Sequence, residues 1–111
     1  MKISDKKDYL VLTDEKDDVA NFATFLEYKI PSKYHEHNIV VDLLKYDSME
    51  LYELLLFLKV SNAHRAKKQS FVIVSEAVNP DDIPFEMVVV PTLQEAADII
   101  EMEEIERDLG F

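Results

Sequence analysis

Glycine is almost missing from this chain of 111 residues; the only one is Gly110. Phosphate cradles of the GxGxxG and GxxxxGKS kinds bring backbone N–H groups against phosphate and depend on glycine to do it, so neither is available here. Cysteine is absent, which excludes disulfides, a thiol nucleophile and thiolate-bound metal. Positive charge is scarce: 12 Lys and Arg against 23 Asp and Glu leave a formal net charge of −11. Such a chain repels phosphate backbones, and nucleic acid is not an expected partner. No apolar run approaches the roughly 20 residues that span a bilayer. The opening MKISDKKDYL carries charges where a signal peptide needs its apolar core. The expectation is one soluble, cytoplasmic domain over residues 1–111, without membrane association and without a cofactor.

What is present is an alternation of apolar runs and helical periodicity. Tyr9–Leu12 suits a first strand. Thr13 or Asp14 caps a helix with an acidic first turn, whose stripe is Val19, Phe22, Ala23, Leu26 and Ile30 and which Pro31 is expected to stop. Ile39–Leu43 follows as a strand rich in β-branched residues. Asp47 and Glu50 have capping-box spacing, so a second helix is expected from about Ser48 to Ala66. Ser70–Ser75 and Met87–Val90 are further strands, and Thr92 with Glu95 caps a last helix reaching about Asp108, with Gly110 placed to terminate it. The expected fold class is α/β: a four-stranded, mostly parallel sheet covered by three main helices. Ile39–Leu43 and Phe71–Val74 should be adjacent and central, because both runs are apolar on both faces.

This order resembles the STAS domain, the SpoIIAA-like fold of bacterial anti-sigma-factor antagonists. The resemblance is carried by IVVDL (Ile39–Leu43), LLLFL (Leu54–Leu58), SFVIV (Ser70–Val74) and VVVPTLQEAADII (Val88–Ile100). It implies a non-enzymatic regulatory domain that binds another protein. In that family an Asp-Ser-Ser-Gly tetrad opens the helix after the strand that IVVDL resembles, and a partner kinase phosphorylates a serine in it. Counted without gaps from Asp42, the tetrad falls on Glu50, Leu51, Tyr52 and Glu53. Leu51 and Tyr52 hold the serine positions, so no phosphoacceptor is expected. The ending EMEEIERDLGF is also similar to that of short bacterial STAS-like proteins sometimes labelled ribonuclease Z. A metallo-hydrolase of that kind needs an HxHxDH run. Here Tyr34-His35-Glu36-His37 and His64 hold all three histidines, and no metal site is expected.

Four features remain as candidate sites. Asp42, Asp47 and Glu50 gather around the strand-to-helix loop, on the edge where α/β proteins usually bind ligands, although capping explains Asp47 and Glu50. His64 and Arg65, with Lys67 and Lys68, form the one basic patch, which also suits a helix C-terminus. Together these are the candidate loop or anion site. The second helix is apolar nearly all round: Leu51, Leu54, Leu55 and Leu58 share one face, and Met49, Leu56, Val60 and Ala63 the opposite one. The second face must meet a neighbouring helix or a partner. In the last helix Leu93, Ala96, Ala97 and Ile100 should pack on the sheet. Met102, Ile105 and Leu109, with Phe111 beyond, then fall on the other side. Either the helix bends near Glu101–Glu103 or this stripe is a contact surface. The candidate interaction surface is therefore Met102, Ile105, Leu109, Phe111, Met49, Leu56 and Val60, facing an unidentified protein or a second copy of the chain. A small-ligand or anion-binding module and an accessory to an RNA-processing hydrolase are the alternative functions.

Overall fold

A computed structural model describes residues Met1–Gly110. The elements in order are β1 (Lys2–Asp5), β2 (Leu10–Thr13), α1 (Val19–Lys33), β3 (Ile39–Asp42), α2 (Leu51–Leu55), α3 (Leu58–Ala66), β4 (Phe71–Val74), β5 (Val88–Val90) and α4 (Leu93–Asp108). The strands lie side by side in sequence order. β2, β3, β4 and β5 are parallel, and β1 is antiparallel to β2 at the edge. The mostly parallel α/β architecture is as expected, and β3 and β4 are adjacent and interior, in the register Ile39 to Phe71 and Val41 to Ile73. No helix among the described residues is long and apolar enough to cross a membrane.

The sheet has five strands among the described residues, where the sequence pattern suggests four. β1 has a single apolar residue, Ile3, in the run KISD, so it carries no core pattern of its own. It is held by pairing with β2 through a hairpin in which Lys6 donates to the Tyr9 carbonyl at 2.9 Å and Lys7 to Asp5 Oδ1 at 2.8 Å. Lys7 takes a left-handed backbone, φ 77°, in a position usually filled by glycine.

Successive parallel strands step across the sheet in one direction, and their crossovers therefore return over one face. α1 and the α2–α3 pair occupy that face. Val19, Phe22, Leu26 and Ile30 of α1 and Leu54, Phe57 and Val60 of the α2–α3 segment pack on Leu12, Ile39, Val41, Phe71 and Ile73. The chain from β4 to β5 contributes Met87 to the same core. The other face, Val11, Val40, Val72 and Val74, is covered by α4 through Ala96 and Ile100.

Two helices depart from expectation. α1 runs through Pro31 to Lys33, because the Tyr34 N–H still bonds the Ile30 carbonyl at 2.9 Å and Tyr34 itself is buried. Proline costs least in such a terminal turn. The second helix is broken at Leu56 and Phe57. The Leu56 N–H reaches the Glu53 carbonyl and the Phe57 N–H the Leu54 carbonyl, three-residue closures of the 3₁₀ kind. This tight turn shifts the angular position of the residues that follow. Leu54, Phe57 and Val60 are all buried. The pairing of Met49 and Val60 with Leu56 as an exposed surface is thereby corrected: Met49 and Val60 lie in the core, and only Leu56 is exposed.

Phe57 is fully buried and meets Phe22 edge-on, with ring centroids 6.3 Å apart and an interplanar angle of 71°. Truncation at this joint leaves a large cavity against α1. Phe57→Ala is expected to cost about 3–5 kcal/mol in urea unfolding, whereas Leu109→Ser should change stability by less than about 0.5 kcal/mol.

Candidate functional site

At the carboxyl edge of the sheet, the loops after β2 and β3 are tied together. Asp14 is buried, and its carboxylate accepts from the Tyr46 hydroxyl at 2.7 Å and from the backbone N–H groups of Lys16 at 3.0 Å and Asp18 at 3.4 Å. The Lys45 ammonium donates to the carbonyls of Asp14 at 2.6 Å and Lys16 at 3.0 Å, and pairs with Asp17 at 3.2 Å. Burial alone would raise the Asp14 carboxyl. The Tyr46 hydroxyl, the two N–H donors and the Lys45 charge outweigh it and hold the carboxyl below the usual range. Burial and the bond to Asp14 push the Tyr46 phenol well above its ordinary value.

Asp42, at the end of β3, accepts from the Leu44 N–H at 3.0 Å and so closes a local turn. α2 begins at Leu51, three residues later than expected, and its N-cap is Glu50 rather than Asp47. The Glu50 N–H donates to Glu53 Oε1 at 2.9 Å, so the capping pair is Glu50 with Glu53. The four positions counted from Asp42 therefore coincide with the N-cap and first turn of α2. Leu51 is 37% exposed and Tyr52 66%, and Leu55 and Leu56, one turn further along, are exposed as well.

His64 and Arg65 do not join this edge. His64 Nε2 donates to the carbonyl of His37, 2.6 Å away and just before β3, which places it at the opposite, amino edge. The ring is buried against Phe71, and burial lowers its pKa. Arg65 bonds Glu103 at 3.1 Å and the Phe71 carbonyl at 3.0 Å. The candidate loop or anion site formed by Asp42, Asp47, Glu50, His64 and Arg65 thus falls into two halves at opposite ends of the parallel strands. No group of three or more His, Asp or Glu side chains converges in a metal-binding arrangement among the described residues.

The amino edge holds a polar network that the sequence reading missed. Asn38 Oδ1 accepts from the Ser70 N–H at 2.8 Å, and Asn38 Nδ2 donates to Glu104 at 2.6 Å. The Ser70 hydroxyl donates to Glu103 at 2.5 Å, and Arg107 donates to both Ser70 and Asn38 at 3.2 and 3.3 Å. Its signal was legible in one respect: Asn38 and Ser70 are the polar residues immediately before the apolar runs of residues 39–41 and 71–74.

This network holds α4 as one continuous helix, without the bend that was one of two expectations. Ala96 and Ile100 are buried, Ala97 is half-buried, and Leu93, expected on the sheet, is exposed at the helix start. Met102, Ile105 and Leu109 are 59%, 54% and 68% exposed. Phe111 lies outside the described residues.

No protein-family model and no curated protein matches the sequence. Among solved structures, a serine-to-glutamate variant of RsbS from Moorella thermoacetica matches with a TM-score of 0.65 and 17% identity, over 91% of this chain and 94% of its own. RsbS is a STAS-domain protein, and the fold of this chain is STAS-like.

The Asp14–Tyr46 bond has a pH signature. A carboxyl with a lowered folded pKa adds stability that is complete above its unfolded value near 3.8 and is lost as pH falls through the folded value. Tyr46→Phe should lower stability near pH 7 by about 1.5–3 kcal/mol, the range for a bond to a charged group. In urea titrations the gap between the two proteins should narrow as pH falls below about 4.

Proposed function

We propose that this chain is a non-enzymatic regulatory domain that acts by binding another protein through the surface around α2, with no serine phosphorylation switch at that helix. The observation that carries the proposal is the exposure of Leu51 and Tyr52, the residues to which the gap-free count from Asp42 assigns the family's serines. Phosphorylation of a serine there adds about −1.5 to −2 charges at a helix start. Leucine cannot take that modification, and a serine kinase does not act on tyrosine.

The surroundings favour a permanently apolar contact. Leu55 and Leu56, one helical turn on from Leu51 and Tyr52, extend the exposed surface. Tyrosine is over-represented among residues that dominate interface energy, since its ring buries much area at little entropic cost. Asp14, Lys45 and Tyr46 pin the adjoining loops, so the surface is presented in one arrangement and little ordering is left for binding. The partner is a protein whose complementary patch is apolar.

Affinity capture from the native cell, with the bound proteins identified, tests this. Tyr52→Ala combined with Leu55→Ser should reduce recovery of a specific partner by about tenfold or more, as for a hot-spot pair, with an unchanged melting temperature. Candidate serine kinases should leave residues 47–53 unmodified. Equal capture by the variant, or RNA hydrolysis that stays with the chain through purification, overturns the proposal.

A further inference from the structure

The second covered face of the sheet carries a groove unrelated to the α2 surface. It runs between α4 and the segment leading into β2. Tyr9, Ala97, Ile100 and Ile105 supply its apolar surface, and Asp8, Glu101, Glu104 and Asp108 line it from both sides. No lysine or arginine lines it. Glu101 and Asp108 form no side-chain hydrogen bond or ion pair among the described residues, and Glu104 spends one oxygen on Asn38. The groove encloses about 430 Å³, within the range of about 300–1,000 Å³ that admits whole organic groups.

We infer that this groove docks a basic amphipathic segment of a partner protein, apolar side chains on its floor and lysine or arginine against the carboxylate rim. Two observations select this occupant. The first is charge. Carboxylates on both walls of an apolar floor are complementary to a cationic segment and repel a second copy of a chain whose net charge is −11. The second is extent. Ile105 lines the groove and is also part of the exposed stripe with Met102 and Leu109, which turns from the groove toward the outer face of α4. A small cation would leave Ile105 in water, whereas an amphipathic helix laid beside α4 covers it.

A fluorescein-labelled helical peptide of leucine and lysine, titrated by anisotropy at physiological ionic strength, is the probe. It should bind, weaken as salt rises, and lose binding when its lysines are replaced by glutamate. Glu101→Lys with Asp108→Lys should weaken it by about tenfold or more, and Ile105→Ser by about fivefold with an unchanged melting temperature. Glu27→Lys with Glu76→Lys makes the same change of net charge away from the groove and should weaken it less than about twofold. Equal losses in the two charge-reversal pairs would mean bulk attraction and overturn the inference. So would indifference to Ile105→Ser, displacement by equimolar spermidine, or a dimer on gel filtration that Ile105→Ser dissolves. Tyr52→Ala with Leu55→Ser should leave peptide affinity unchanged; a loss there places the peptide on α2 and also overturns the inference.

Discussion

Everything in this fold follows from the requirement that β3 and β4 be dry on both faces. Val40, Val41, Val72 and Ile73 are at most 1% exposed, and their side chains alternate between two cores. One core is easily filled, because the crossovers of a parallel sheet return over the same side and bring α1, α2 and α3 with them. The other core has only α4. A single helix over that face must be fixed in position and rotation, and the apolar contacts of Ala96 and Ile100 lie in its first half. The Asn38, Ser70, Glu103, Glu104 and Arg107 network fixes the second half by polar bonds to the strand starts. That division explains why the apolar stripe ends at Ile100: beyond it the helix is held from the sheet edge.

Much of this was legible in the residues because periodicity reports burial. The runs IVVDL and FVIV identified β3 and β4 and their central, adjacent placement, and Thr92 with Glu95 marked the start of α4, where the Thr92 hydroxyl accepts from the Glu95 N–H at 3.1 Å. The features that escaped share one cause: each depends on a partner far away in sequence. β1 exists through pairing with β2. The α2–α3 break falls where Phe57 meets Phe22, and an all-round apolar pattern does not say where the helix axis turns. Among the site residues, Asp42, Glu50 and His64 have chemically suggestive side chains, but strand direction decides which edge each occupies. Asp42 ends β3, while His64 bonds His37, two residues before that strand begins, so composition grouped what topology separates.

The two edges of the sheet divide the work of the molecule. At the carboxyl edge the polar groups face inward: Asp14 and Tyr46 satisfy each other, Lys45 caps carbonyls, and the outward surface is left to leucines and Tyr52. At the amino edge the arginines are consumed by the network, Arg65 by Glu103 and Arg107 by Asn38 and Ser70. The arginines are thereby neutralised in place, while Lys67 and Lys68 form no ion pair among the described residues. A buried network of this kind is specific rather than strongly stabilising, since desolvation offsets much of the pairing energy. Its value is that α4 has one register on the sheet.

That fixed register has an electrostatic consequence. Once Arg107 turns inward to Ser70 and Asn38, the outer surface of the C-terminal half of α4 keeps its carboxylates with little to balance them. Glu101 and Asp108 remain unpaired among the described residues, so part of the net charge of −11 is concentrated on one helix face beside exposed Ile105. Like charges there disfavour contact between two copies, even though an exposed apolar stripe invites it. The acidic rim sets the electrostatic terms of any contact there, favouring a cationic surface over a like-charged one. The same inward-facing arginine thus holds the fold together and leaves this surface acidic.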